Sequence, residues 1–325
     1  LRVHPRELAP EHVLPFVPDA KDVDQSSDPR LSVCMRMIAE ATSVHAAVTH
    51  LMEHEPWDLT AVYYDAIDHF SHGFMKFRPP KQPHVGDHEF NLYRHVVNTA
   101  YVYHDMMLGR LLELSGDETI VVLVSDHGFQ SDHLRPSRLP AEPAGPAHEH
   151  REQGILVVAG PGVRRGATVE GATLLDVTPT ILHLLGRPVG EDMDGRALEE
   201  LLESPRPVRT IPSWDEVDGH DGSHPPDRAV DPDEAKAALE QLVALGYIDR
   251  PPEDARAAIR QTTRELEYNL ARAYMDAGLF GEAIPLLAGL YREAPLEFRF
   301  GVQLANCLRA MQRDEDLGRL VDDLE

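Results

Sequence analysis

Three short runs of aspartate and histidine carry side chains of the types that can hold metal ions. The first is Asp68-His69-Phe70-Ser71-His72. Asp68 and His72 are four apart, so on a helix both project from one face and can grip one ion. The second, Ser125-Asp126-His127-Gly128, closes the apolar run Thr119–Val124, and Gly128 permits a sharp turn there. The third, His148-Glu149-His150-Arg151, precedes Ile155-Leu156-Val157-Val158-Ala159. Each also has a plainer reading. An Asp-His pair after a strand is often a helix cap with a surface histidine, and His148 and His150 lie in a Pro-rich loop open to water. Together, however, the runs fall at the ends of apolar segments, where α/β sheets gather their ligands. Carboxylate plus imidazole suits zinc or manganese. No Gly-rich phosphate loop, Gly-x-Ser-x-Gly elbow or dinucleotide fingerprint competes in this sequence.

The elements that must position these runs can be read from periodicity. Residues 1–30 are polar, rich in Pro and Asp, and read as irregular surface chain. Ser32 caps an expected helix to about Glu55, with Cys34, Ile38, Ala41, Val44, Val48 and Leu51 on one stripe. Trp57–Tyr64 is β-prone, and 88–114 has the spacing of a long helix stopped by Gly116. Runs 119–125 and 155–159 are continuously apolar, as strands buried on both faces of a parallel sheet are. Asp176 and Thr178 read as the cap and first turn of a helix ended by Gly186, and Asp194-Gly195 as a tight turn. His69 and His133 are expected at the surface, and Asp65 is placed to orient a ligand.

Strands separated by helices predict an α/β parallel sheet in a hydrolase-type domain over 1–204. A Pro-rich linker over 205–230 follows, then an all-helical region over 231–325. Its first helix is expected to be capped by Asp231, with Pro232 at the first helical position and Glu234 at the third, and to close at Gly246. Leu270, Ala271, Tyr274, Ala283 and Leu287 return 34 residues later as Leu304, Ala305, Leu308, Leu317 and Val321. That is the period of a tetratricopeptide repeat, and fewer than three repeats leave an apolar face to cover. Leu317, Leu320, Val321 and Leu324 are the expected stripe, open to further repeats or a protein partner.

The 325 residues are 42% hydrophobic, enough for a core, and carry a net charge of −24. Such a surface repels nucleic acid. A small anionic substrate needs a local reversal of the field, which bound cations supply. The two cysteines, Cys34 and Cys307, form no disulfide framework, so a reducing, cytoplasmic setting is expected. No apolar run has the length of a membrane span.

The order of the motifs resembles the alkaline phosphatase superfamily. The resemblance is carried by Asp68-x-x-x-His72, Ser125-Asp126-His127-Gly128, His150-Arg151-x-x-Gly154 before Gly160-Pro161-Gly162, Leu175-Asp176-Val177-Thr178-Pro179-Thr180 and Asp192-Met193-Asp194-Gly195. Over about 55–200 the chain is most similar to the type I phosphodiesterase/nucleotide pyrophosphatase branch, in a form with a tetratricopeptide tail. The resemblance implies a partial alkaline-phosphatase-like parallel-sheet sandwich and two divalent ions, zinc or else manganese. It implies that Asp68, His72 and His150 hold one ion, with Asp126 and His127 on the other, and that His150 rather than His148 is the ligand. It implies hydrolysis of phosphodiester or pyrophosphate bonds in a small phosphate ester through a phospho-Thr or phospho-Ser. Nothing before Asp68 matches the family's nucleophile or its first Asp ligand. The chain is therefore expected to be part of a longer protein and inactive alone. A sulfatase, a phosphomonoesterase or phosphomutase, or a degenerate hydrolase serving as a tetratricopeptide interaction protein are the alternatives.

Overall fold

The computed structural model describes residues 2–139, 145–219 and 255–324. The helix expected over 232–246, with its Asp231 cap, lies outside them. They form two compact units, one ending at Val163 and the other beginning at Arg164.

The first unit is built on helices. Helix α1 (Pro10–Val13) is a single turn, α2 (Arg30–His54) and α5 (Val96–Ser115) are long, and α3 (Ala66–Phe74) and α4 (Asp87–Tyr93) lie between them. Helix α2 starts two residues before the expected Ser32 cap. Its N-cap is Pro29, and Ser32 Oγ bonds Gln25 instead. One core joins Cys34, Met37, Ile38 and Ala41 of α2 to Phe70 and Phe74 of α3 and to Val96, Val97 and Ala100 of α5. Residues 1–30 are not irregular surface chain. Val13, Phe16, Val17 and Val23 are buried in this same core, with Phe16 stacked on Phe70 at 5.4 Å between ring centroids.

The expected parallel sheet is replaced by a small antiparallel one. Strand β1 (Val121–Ser125) pairs with β4 (Ile155–Ala159) from Val121↔Ala159 to Ser125↔Ile155. Nor are these strands buried on both faces. Leu123 and Val124 of β1 and Ile155 and Val157 of β4 are exposed. The apolar runs therefore report strand propensity and not double-sided burial. Trp57–Tyr64 is extended but pairs with no strand among the described residues. It instead lines an apolar groove of about 530 Å³ with Val44, Val48 and Leu51 of α2.

Beyond Ser125 the chain pairs again, as β2 (Gly128–Phe129) against β3 (His150–Arg151), with Phe129 opposite His150. Gly128 thus sits in a strand instead of a sharp turn. The tight fit falls on Gly154, where an added Cβ would stand 1.8 Å from the Ser125 carbonyl oxygen.

The second unit holds α6 (Val177–Leu184) and a parallel pair, β5 (Val189–Gly190) with β6 (Thr210–Ile211). The described part of the expected linker, 205–219, is anchored here, since Trp214 Nε1 donates to the Pro188 carbonyl. Asp176 is structural. Its carboxylate accepts from the backbone N–H of Thr173 (2.8 Å) and of Arg196 (2.7 Å), tying the 192–196 turn to the start of α6. Helices α7 (Ala255–Asp276), α8 (Phe280–Glu293), α9 (Phe298–Ala310) and α10 (Asp314–Leu324) then follow. Their core contains Tyr268, Ala271, Ala283, Leu287, Leu290, Phe300, Leu304, Cys307 and Leu308. Ala271 and Ala283 are fully buried, as close helix packing requires. Leu320 joins this core and Val321 is exposed, so the expected open stripe is partly closed. No described helix is long and apolar enough to cross a membrane.

Candidate metal centre

Helix α3 places the first candidate pair. Asp68 and His72 are one turn apart on it, and His72 Nε2 lies 3.4 Å from Asp68 Oδ1. Phe70 and Phe74, on the opposite side of the helix, are buried in the core and fix its rotation. The β2–β3 pairing places the other two imidazoles. His127 directly precedes β2 and His150 begins β3, so the ladder stacks their rings at 3.6 Å and 11°. Phe129 packs edge-on against His72, His150 and His127 at 4.9, 5.0 and 5.6 Å.

The result is a convergence of nitrogens on one carboxylate oxygen. Asp68 Oδ1 lies 3.4, 3.5 and 3.6 Å from Nε2 of His72, His127 and His150. Asp68, His72 and His150 each offer a ligand atom, all within 4.8 Å of one another. His150 Nε2 and His72 Nε2 are 2.8 Å apart, so at most one proton lies between them. His72 Nδ1 meets Glu149 Oε2 at 2.8 Å, and His127 Nδ1 meets the Gly128 carbonyl oxygen at 3.2 Å. Both partners only accept, so both Nδ1 atoms donate. In the neutral rings this leaves Nε2 lone pairs facing the cluster. A carboxylate oxygen with inward imidazole lone pairs is the donor set of zinc or manganese, so these residues fit a divalent ion.

The electrostatics agree. Burial disfavours a charged His72, but the hydrogen bonds it donates to Asp68 and Glu149 outweigh this and push its pKa up to about 9. Without a metal, a proton on His72 is the cation between these carboxylates. His150 is driven the other way, to about 4, by burial and then by the neighbouring His127 and His72. It is neutral at pH 7, as a ligand must be.

The remaining candidates separate. Asp126 lies at the margin, with a carboxylate 66% exposed and Oδ2 3.8 Å from His127 Nε2. His148 and His133 are exposed. His69, expected at the surface, is buried because it projects from α3 toward the core, with its pKa lowered mainly by burial. Asp65 lies 3.9 Å from His69 Nδ1, so it accompanies that residue and not a ligand. Phe129 and Glu149 were not singled out by residue type. Their signals were position: one apolar residue two beyond a candidate ligand, and one acid immediately before another.

Residues 10–141 match the family model of type I phosphodiesterase/nucleotide pyrophosphatase, a stretch that includes Asp68, His72, Asp126 and His127. The chain is also similar to a 2,3-bisphosphoglycerate-independent phosphoglycerate mutase of Cereibacter sphaeroides, at 36% identity over 101 residues. That alignment covers 30% of this chain and spans 18% of the relative's length. No solved structure gives a significant match. Both similarities are to phosphoryl-transfer proteins.

Proposed function

We propose that the first unit carries the metal-binding part of a phosphohydrolase acting on phosphodiester or pyrophosphate bonds of a small phosphate ester. The observation that carries this reading is the convergence of Asp68, His72 and His150 within 4.8 Å. The match of 10–141 to the phosphodiesterase model supports it. In this reading Asp68, His72 and His150 hold one divalent ion, and Asp126 and His127 contribute to a second. Zinc is favoured by the nitrogen-rich donor set, with manganese as the alternative. Bound divalent ions supply positive charge for phosphate oxygens and for the leaving oxygen. That answers the −24 net charge, which otherwise repels the substrate.

The chain's own residues have separate tasks. Asp68 balances positive charge at the site, the imidazoles fix its direction, and Phe129 excludes water from behind the rings. A phospho-Thr or phospho-Ser intermediate belongs to this reading through the resemblance. Nothing before Asp68 matches that nucleophile, so in this reading the chain alone is expected to bind phosphate without the turnover of an intact enzyme. The helical tail is read as tetratricopeptide-like and as a surface for a protein partner or further repeats. The buried, unpaired thiols of Cys34 and Cys307 support a cytoplasmic setting.

A second reading, a phosphomutase, is favoured by the phosphoglycerate mutase similarity. The test is binding of inorganic phosphate to zinc-loaded and metal-free chain, with activated phosphodiester, phosphomonoester and sulfate ester as competitors. Zinc-dependent phosphate binding, lost in His72→Gln and best displaced by the diester, is expected. Displacement by the monoester alone favours the mutase, and zinc-independent binding overturns both.

A further inference from the structure

We propose that Glu149 is a positioning residue for this centre: its carboxylate holds the neutral His72 ring in the tautomer that turns the Nε2 lone pair toward Asp68 and His150. The inference rests on the metal reading above and assigns a residue to it that neither motif spacing nor similarity names.

The geometry is specific. Glu149 Oε2 stands 2.8 Å from His72 Nδ1, with side chains only 15% and 2% exposed. An ionised carboxylate only accepts, so the hydrogen of this bond resides on Nδ1. Nε2 of the neutral ring then carries the lone pair, and it is the atom that faces Asp68 at 3.4 Å and His150 at 2.8 Å. Without an acceptor at Nδ1, the neutral ring can place its proton on Nε2 and close the site to a cation. A metal-ligating histidine typically needs such a partner on its other nitrogen.

Glu149 is itself held. Gln130 N–H donates to the Glu149 carbonyl oxygen at 2.7 Å, and Gln130 Nε2 donates to the His150 carbonyl oxygen at 3.2 Å. The acid and the adjacent ligand are thus fixed by one residue at the end of β2. His127 is set by the same logic with a backbone acceptor, the Gly128 carbonyl oxygen.

The test uses the full chain. Zinc affinity is measured by competition with a chromophoric chelator at pH 7.5 for wild type, Glu149→Gln and Glu149→Leu. Nitrogen-15 spectra of the zinc-loaded proteins report which His72 nitrogen is bound. Outer partners of this kind are worth roughly 10–100-fold in metal affinity. The Gln amide oxygen still accepts from Nδ1–H, so a loss near tenfold is expected there, and near a hundredfold for Leu, which accepts nothing. Wild-type His72 is expected to bind through Nε2 with a protonated Nδ1. Wild-type affinity in both variants, or coordination of His72 through Nδ1, overturns this inference and leaves the metal reading standing. Equal losses in Gln and Leu, with α3 amides exchanging faster in both, identify a structural role and also overturn it. Failure of the wild type to bind zinc overturns the metal reading, and this inference with it.

Discussion

Phe16→Ala is expected to destabilise the first unit by about 4 kcal/mol. Phe16 comes from a stretch with no regular periodicity, yet it is 3% exposed and its ring stacks on Phe70 of α3, which is fully buried. It also meets the edge of Tyr103 at 6.0 Å. Truncating a buried Phe costs ~3–5 kcal/mol, of which an aromatic pair contributes about 0.5–1.5. At a urea slope of about 2 kcal/mol per molar, this lowers the unfolding midpoint by about 2 M. The protein has two tryptophans, Trp57 in the first unit and Trp214 in the second, so a Trp214→Phe background makes fluorescence report on the first unit alone. Phe70 lies between Asp68 and His72 on α3, so the same substitution should also loosen this candidate ligand pair and weaken the proposed zinc binding. Phe16→Leu, which keeps most of the apolar volume, should recover most of both losses. A midpoint within about 0.5 M of the parent would show that residues 1–30 lie outside the core and refute the reasoning.

Stability of the metal-free chain should depend on pH through His72 and His150. The folded pKa of His72, about 9, is above its unfolded value, so its contribution is complete below about pH 6.5 and is lost as pH rises through 9. This amounts to about 3 kcal/mol between pH 6.5 and 9.5 and should vanish in His72→Gln, and a flat wild-type profile in EDTA would contradict it. His150 has the opposite sign, with a contribution present above about 6.5 and lost as pH falls through 4, so the metal-free stability should peak between the two. Gly154→Ala drives a methyl group against the Ser125 carbonyl and should cost about 3 kcal/mol or more while displacing Asp126 and His127. Hydrogen exchange in β1 and zinc affinity measure it, and a silent substitution would refute the tight approach. Arg299→Ala removes a guanidinium that pairs with Glu265 and Glu297 and lies 4.8 and 4.7 Å from the ring centroids of Tyr268 and Phe300. Glu297 keeps its pair with Arg264 at 2.9 Å, but stripping the guanidinium from the half-buried Glu265 should cost about 3 kcal/mol, seen as an earlier loss of helical signal in the full chain.

Much of the site was legible because it rests on short-range geometry. Asp68 and His72 needed only a helical turn between them, and α3 supplies it. His127 and His150 needed a connection that no local pattern specifies, and the β2–β3 pairing provides it. The sheet was misread because an apolar run fixes neither strand direction nor what covers its faces. Leu123 and Ile155 lie exposed on strands that pair antiparallel. The N-terminal stretch did hold a helical signal in Val13, Phe16 and Val17, but Pro15 and Pro18 break it into single turns. The packing spacing of Ala271, Ala283 and Leu287 was readable, and the buried core of the helical tail uses those residues. Glu149 escaped because its role is set by an imidazole 77 positions away in sequence.

The most direct measurement is the zinc affinity of the full chain beside Asp68→Asn, His72→Gln and His150→Gln, with X-ray absorption on the wild-type complex. The account predicts tight binding by the wild type, a shell of imidazole nitrogen and carboxylate oxygen at about 2.0–2.2 Å, and a loss of at least tenfold in each variant. A wild type that binds no zinc, or variants that bind it equally well, would contradict the central claim that these three residues hold a metal ion.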